Sequence, residues 1–546
     1  VGEANKVKAM TQVCSVCGSS NTELEDKLQS SFSDELLELH RCRSCGTLFY
    51  PHSKGISYDE CSLGSTKFYI EFNAGLHAPS HFITNLRQLA RAKPKPSFLD
   101  VGCAFGFALD MARYLGWDAT GVEPSPIALE GQRTLQLNII QDYLESADLP
   151  SAYDLVLSSE TIEHVPDPQG FLNLINKYLK PDGILCLTTP NSEAYASESV
   201  GEKLAMASAG VHLNIFSPYS IGLLLERAGF ADCRIETSGG VTGKKGLVVF
   251  ATKTGRLPNF KYIAPLDSSC IKFMIEYLEY LVEAREKERD YLYDGALYRL
   301  VELYTNLGNL AQAHRLSIKL DESISAKYTV VREESIDAFL QVARQKAIGF
   351  DDYIASSPSF LSRYLYCKGM VCLNLLSDFA RAEKLFTLAH DLFSHEQDTF
   401  RQSFASNWQM ASRAKYHAAL SMLYAKNKKE GLRIFDQLLS NEHDCPSDLI
   451  PQVHLYKGIA HLQLGEIISA LKSFTLGLKK ATKQAFVRRA IDYIILVLRQ
   501  GWELSLYATI TDPSTYTKVP RFRKLKLLFW FTFRRLRRLL TFMFVK

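Results

Sequence analysis

Three groups of residues in this chain have types and spacings that could do chemistry. The first is a pair of knuckles, Cys14-Ser-Val-Cys17-Gly and Cys42-Arg-Ser-Cys45-Gly. Each sets two thiols three residues apart ahead of a glycine that permits a tight turn. Cys14, Cys17, Cys42 and Cys45 can close a tetrahedral four-thiolate shell with no open position, which is a structural zinc site. Such a metal stabilises a module too small to fold on its own core. The second is Phe98-Leu-Asp-Val-Gly-Cys-Ala-Phe-Gly106, an apolar run entering a loop whose Gly102 and Gly106 let the backbone approach a ligand. About 20 residues on, Gly121-Val-Glu-Pro-Ser125 ends another apolar run and puts the Glu123 carboxylate where it can take both hydroxyls of a ribose. A G-x-G-x-x-G run is absent here, which argues against an ordinary dinucleotide-binding domain.

The third group is Glu160-Thr-Ile-Glu163-His164-Val-Pro-Asp-Pro, with a distant His212-Leu-Asn-Ile-Phe-Ser-Pro. If the first segment turns helically, Glu160 shares a face with Glu163 and His164. Glu160, Glu163, His164 and His212 would then suit a divalent cation of intermediate hardness. The same residues also fit a catalytic or substrate-binding role without metal, centred on Glu163, His164 and His212, or a structural role.

The elements that must position these groups alternate. Apolar runs at Phe98–Gly102, Ala119–Glu123, Asn138–Gln141, Tyr153–Ser158 and Gly183–Thr189 are separated by helical patterns at Phe107–Leu115, Pro126–Leu137 and Phe171–Leu179. That alternation predicts an α/β, doubly wound, mostly parallel sheet. Cys233–Thr237 and Gly246–Ala251 would close it to seven strands as an antiparallel edge hairpin. Beyond residue 268 strand signals vanish. Tyr456-Lys-Gly458…Gly465…Ala470…Phe474, Gly308…Ala313, Ser377…Ala382 and Asn427…Gly431 look like tetratricopeptide-type helix pairs, with a generic helical bundle as the alternative. The expected organisation is a zinc ribbon over 1–50, a linker over 51–74, an α/β domain over 75–255, helical repeats over 268–505 and a basic amphipathic segment over 519–546.

A chain of 546 residues exceeds what one core usually supports, which agrees with several domains. Its net charge of +4 is too small to imply nucleic acid as the partner of the whole chain. Outside the knuckles the cysteines sit mostly in apolar runs (Cys103, Cys186, Cys372), so a reducing, cytoplasmic setting is expected. The stretch from Val519 to Lys546 has no acidic residue and interleaves Lys and Arg with Phe, Trp and Leu. This pattern suits a helix lying on the inner face of an anionic membrane, a peripheral attachment. Docking onto the repeats and nucleic-acid binding are the alternatives, the second disfavoured by the aromatic density.

The run from Phe98 to Pro190 resembles the class I S-adenosylmethionine-dependent methyltransferases, motif by motif and in order. The resemblance implies that Asp100, Gly102, Cys103, Ala104 and Gly106 surround the methionine part of S-adenosylmethionine and that Glu123 binds its ribose. It further implies that Asp142, Tyr143 and Leu144 lie at the adenine and that Ser159 borders the cofactor. Glu160–His164 with His212 resembles the metal-dependent branch, the polyprenyl-quinol and small-RNA 3′-end O-methyltransferases. The ribbon-plus-methyltransferase pairing resembles bacterial sugar- and polysaccharide-modifying enzymes. These likenesses imply methylation of a hydroxyl on a membrane-associated glycan or glycolipid. Two alternatives are a protein substrate selected through the repeats and a scaffold in which the repeats dominate.

Overall fold

The computed structural model describes residues 12–30, 33–53, 55–58, 66–73, 77–90, 93–149, 152–197, 200–238, 245–345, 348–400, 407–440 and 445–480. The basic segment 519–546 and the last part of the expected repeats, 481–505, lie outside them. The chain divides into two compact units, one of residues 1–303 with 318–328 and 348–360, the other of the remainder.

In the first unit, two sheets form. The smaller runs β1 (Thr22–Gln29), β2 (Leu36–Cys42) and β3 (Leu48–Phe49). The larger contains β4 (Ser97–Val101), β5 (Asp118–Val122), β6 (Ile139–Ile140), β7 (Tyr153–Ser159) and β8 (Leu179–Pro190). A short strand β9 (Asn214–Ile215) returns to the smaller sheet, and β10 (Asp232–Ser238) and β11 (Gly246–Thr252) complete the larger. The larger sheet has the order β10-β11-β8-β7-β4-β5-β6. The five strands from β8 to β6 are parallel, and β11 and β10 add antiparallel. This is the doubly wound, seven-stranded arrangement expected from the alternation, with the late hairpin at one edge.

Parallel strands covered on both faces must be apolar nearly throughout, and Tyr153–Ser158 of β7 is wholly buried. The helices of this unit include α1 (Thr66–Asn73), α2 (His77–Leu89), α3 (Phe107–Tyr114), α4 (Ile127–Leu135), α5 (Pro168–Tyr178), α6 (Val200–Ala207) and α7 (Pro218–Arg227). α1 lies in the stretch expected to be a linker. β4 has β5 on one side and β7 on the other, so the strand order reverses at β4. Ligands of such sheets bind beyond the carboxyl ends of the strands at that reversal. Both the Gly102 loop and the Glu160–His164 segment emerge there. Gly131 of α4 lets the helix close onto the loop, since a Cβ there would fall 2.2 Å from the Phe105 carbonyl oxygen.

At the opposite end of the strands Asp154 accepts hydrogen bonds from the Ser97 N–H (2.9 Å) and hydroxyl (2.8 Å), Lys93 (2.6 Å) and Lys180 (2.8 Å). Burial alone would raise its carboxyl, but Lys180, Lys93 and Ser97 together hold it well below the usual carboxylate range. A lowered folded-state value stabilises the fold above the unfolded pKa of about 4, and that contribution disappears as pH falls through the folded value. Asp154→Asn should therefore cost about 1–3 kcal/mol at pH 7 by chemical denaturation, the lysines being partly exposed and screened. The gap between variant and wild type should shrink below about pH 4. A gap that stays constant down to pH 2 would contradict this role.

The smaller sheet has the order β1-β2-β3-β9, so its last strand comes from residues 214–215. Phe49 pairs with Asn214 and Leu48 with Ile215. The 1–50 region is therefore not a separate module. Cys14, Val16, Cys42, Cys45 and Phe49 share one apolar core with Phe216, Ile221 and Val249.

The remaining described chain is all helical, as expected. The helix Ser268–Ala284, expected to begin the repeats, belongs instead to the first unit: the Tyr277 hydroxyl donates to Asp110 of α3 at 2.7 Å. In the second unit Gly369 lies against the Phe386 ring and Gly458 against the Phe474 ring, so two pairs of consecutive helices use the same glycine-to-phenylalanine fit. Gly308, Ser377, Lys426 and Gly465, each with φ between 55° and 81°, reverse the chain between successive helices. Gly308, Ser377 and Gly465 are positions singled out from the sequence, and Lys426 immediately precedes the run from Asn427 to Gly431.

Candidate active site and thiolate cluster

β4 delivers Asp100, which is 3% exposed, and the chain then turns through Gly102 (φ 76°), Ala104 (φ 47°) and Gly106 (φ 92°) into α3. Three left-handed residues in five bend the loop so that its backbone faces the strand ends. Glu123, from the end of β5, braces it: Oε2 accepts from the Ala104 N–H and Oε1 from the Ser125 N–H, both at 2.9 Å. Burial, and then the charge of Glu123, push the Asp100 carboxyl up to about 8. Two close buried carboxyls favour a ligand that brings positive charge and hydroxyl donors. The ammonium, sulfonium and ribose of S-adenosylmethionine provide these, so the residues fit that cofactor.

Cys103 points elsewhere. A Cβ on Gly121 would come within 2.6 Å of the Cys103 sulfur, so the thiol packs against β5 rather than into the cleft. Beyond β6, Asp142 accepts from the Tyr143 N–H (2.8 Å) and Tyr143 is 38% exposed. Leu144 is buried in the core. The Ser159 hydroxyl meets that of Thr188 at 3.0 Å.

After β7, residues Ile162–His164 form one 3-10 turn. Among the described residues Glu163, His164 and His212 offer one ligand atom each within 4.8 Å of one another. The two imidazole rings meet edge to face at 4.7 Å between centroids. His212 Nδ1 lies 2.7 Å from the Met206 carbonyl, which only accepts, so Nδ1 carries the proton and Nε2 keeps a lone pair. His164 Nδ1 is bracketed by the Val211 carbonyl (3.3 Å) and the Tyr58 hydroxyl (2.8 Å), leaving its Nε2 3.9 Å from Glu163 Oε1. Burial lowers both histidines, His212 to about 3 with help from His164, so both rings are neutral ligands at pH 7. Glu163 Oε2 accepts from Thr189 (3.0 Å), while the buried Oε1 has no hydrogen-bond partner. Burial and then the Glu160 charge push the Glu163 carboxyl upward. A carboxylate oxygen without a partner and two ring nitrogens with lone pairs form a donor set that fits a divalent cation.

Glu160 corrects the expectation of four converging ligands. It sits before the turn with φ 53°, not on a helical face shared with Glu163, and its Oε1 accepts from Thr188 at 3.0 Å. The helical spacing fails because only three residues turn. Thr161 ties the two halves of the site together, since a Cβ on Gly102 would fall 2.4 Å from its hydroxyl.

The four knuckle cysteines also converge. Cys14 and Cys45 sulfurs lie 3.6 Å apart and those of Cys17 and Cys42 3.5 Å apart. Tetrahedral bonds of about 2.3 Å imply sulfur separations of roughly 3.8 Å, so the set fits zinc. Both knuckles fold alike: the Gly18 N–H donates to the Cys14 carbonyl (2.9 Å) and the Gly46 N–H to that of Cys42 (2.8 Å).

Several site residues gave no sequence signal. Tyr58, from the expected linker, donates its N–H to the Tyr143 hydroxyl (3.0 Å) while its own hydroxyl meets His164. Burial, then the charges of Glu123, Cys103 and Asp100, push the phenol of Tyr69, in α1, upward. Thr188 and Thr189 at the end of β8 anchor Glu160 and Glu163. A hydroxyl at a strand end announces nothing in sequence unless its partner is already known.

Residues 76–234 match the family described as a methyltransferase domain. The chain is 33% identical over 100 residues to the mitochondrial ubiquinone biosynthesis O-methyltransferase of Schizosaccharomyces pombe, covering 17% of this chain and 36% of that one. It is 31% identical over 155 residues to the Pectobacterium atrosepticum ubiquinone biosynthesis O-methyltransferase, covering 25% and 64%. The chain thus spans less than two thirds of these relatives. Among solved structures, the glycopeptide N-methyltransferase MtfA is similar at 19% identity and TM-score 0.26, over 34% of this chain and 92% of that one. The chain carries a methyltransferase domain of the S-adenosylmethionine-dependent class I fold.

Proposed function

We propose that this chain is an S-adenosylmethionine-dependent O-methyltransferase acting on a hydroxyl with a second oxygen beside it, in a membrane-proximal glycan or glycolipid. The observation behind the oxygen assignment is the convergence of Glu163, His164 and His212 against the Gly102 loop. Asp100, the 102–106 backbone and Glu123 would hold the cofactor, which when bound supplies a methyl group on sulfonium sulfur. Glu163, His164 and His212 would hold a divalent cation, which lowers the pKa of a hydroxyl it binds. The protein's own part is alignment. Thr189 fixes Glu163, the Met206 carbonyl fixes His212, and Tyr58 and Val211 fix His164, so the acceptor oxygen meets a rigid wall. With the cation bound no strong protein base is required; without it, Glu163 Oε1 and His164 Nε2 would be the atoms placed to receive the hydroxyl proton.

The two relatives are named O-methyltransferases, in line with oxygen as the methylated atom. The glycan assignment is supported by the likeness of the ribbon-plus-methyltransferase pairing to sugar-modifying enzymes. The membrane assignment is supported by the composition of 519–546, whose Lys and Arg suit anionic headgroups. No described helix is long and apolar enough to cross a membrane. A protein acceptor is the second reading. It is favoured by a cavity of about 430 Å³ in the helical unit, lined by His390, Asp398, Trp408 and Lys415 among others. Tetratricopeptide-type helix pairs would present such a peptide site.

Incubating the full chain with radiolabelled S-adenosylmethionine and fractionated bacterial membranes tests the proposal. Label should enter the lipid-linked glycan fraction and disappear with excess EDTA. Label in protein alone would replace it with the second reading. Bound cofactor with no label in any fraction would favour a scaffold.

A further inference from the structure

We infer that the four-cysteine ribbon is a positioning element of the acceptor site, holding residues 206–217 and through them His212 and the Glu163–His164 turn. The inference rests on the proposed role of that cluster. Residues 208–213 have little structure of their own: Ser208 (φ 31°) and Gly210 (φ 89°) are left-handed, and the strand that follows is two residues long. Their order therefore depends on what they touch, and on one side that is the ribbon.

The contacts form a continuous path. Cys45 accepts at its carbonyl from the Ser217 hydroxyl (2.6 Å), and Gly46 from that of Ser192 (2.7 Å). Two residues further on, Leu48 and Phe49 pair with Ile215 and Asn214. Tyr50 donates its N–H to the Leu213 carbonyl (3.2 Å) and its hydroxyl to that of Ala207 (3.2 Å). Ser15, between the first two cysteines, donates to the Asn214 side chain. On its other side the same segment reaches the active site. The Leu213 N–H donates to the Glu163 carbonyl (2.7 Å), the Val211 carbonyl brackets His164, and the Met206 carbonyl orients His212. Leu39, Leu48, Tyr50, Met206, Ala207, Ala209 and Ile215 bury their side chains together. Both histidines therefore take their orienting carbonyls from a segment whose outer support is anchored at the thiolates. Carbonyl partners of this kind govern the affinity of a metal site.

The test compares the full-length zinc-loaded protein with Cys45→Ser, which breaks the thiolate shell, and with Tyr50→Phe. The second variant keeps all four cysteines and removes one hydroxyl; metal analysis should still find its zinc. Hydrogen exchange of a peptide covering 206–216 should accelerate on the order of tenfold in Cys45→Ser and less in Tyr50→Phe, with the α3 peptide unchanged. Mn²⁺ affinity should fall about 10-fold in Cys45→Ser, while S-adenosylmethionine affinity stays at the wild-type value. Should Cys45→Ser unfold throughout, the Tyr50→Phe exchange rates decide. If wild type binds no Mn²⁺, the cation reading falls and the exchange data alone judge the ribbon's role. Deprotection of residues 36–50 with wild-type protection of 206–216 would overturn the inference.

Discussion

His212→Ala is expected to lower kcat by about 10²–10⁴-fold while S-adenosylmethionine still binds at the wild-type affinity. The ring packs edge to face on His164, and its Nε2 lone pair is aimed by the Met206 carbonyl. Removing it takes away one of three converging donors without touching Asp100, the 102–106 backbone or Glu123. Excess EDTA should reproduce the loss in wild type, and Mn²⁺, Mg²⁺ or Co²⁺ should restore it. Glu163→Gln keeps the shape of the side chain but removes its charge, so it should fail with cation and fold normally. The outcomes separate the readings. Full activity in EDTA with a dead His164→Ala would leave His164 as an ordinary base. Full activity in His212→Ala as well would make the cluster structural.

The larger sheet was legible because its central strands β4, β7 and β8 contain apolar runs and its strands alternate with helical patterns. Asp100, Gly102, Glu123, Glu163, His164 and His212 stand out because glycine spacing and paired ionisable groups are local signals. The connection of the ribbon to the catalytic domain was not legible. It depends on a pairing between residues 48–49 and 214–215, two strands too short to show any period. For the same reason the boundaries at 50 and 268 moved: a domain edge is set by which apolar faces meet, and Cys45 and Tyr277 give no sign in sequence of facing the α/β core. Glu160 was misplaced because helical spacing was applied to a segment that makes one turn. Cys103 lies in the loop between the two motif glycines, but its side chain packs against β5 while the loop's backbone bends at Gly102, Ala104 and Gly106.

That division between backbone and side chain predicts which changes destroy cofactor binding. Glu123→Ala should weaken S-adenosylmethionine binding by about 10²–10⁴-fold, from two hydrogen bonds to a charged group at about 1.5–3 kcal/mol each. The loss has two sources. The ribose loses its acceptor, and the Ala104 and Ser125 N–H groups lose theirs. Ala104 is held at φ 47° in a region that L residues avoid, so an unbraced loop relaxes away from the bound shape. Gly102→Val should be at least as severe. Its φ of 76° excludes a branched side chain, and the added Cβ would fall 2.4 Å from the Thr161 hydroxyl. Thr161 would have to move, and with it the turn that carries Glu163 and His164, so this variant should lose turnover even at saturating cofactor. Cys103→Ala is the contrasting case. Its thiol packs on Gly121, so affinity should stay within about threefold, although the fold loses some packing. Calorimetric titration of the three variants decides the matter: unchanged affinity in both Glu123→Ala and Gly102→Val would remove the cofactor from this cleft, and a large loss in Cys103→Ala would mean that the thiol, not only the backbone beside it, faces the ligand.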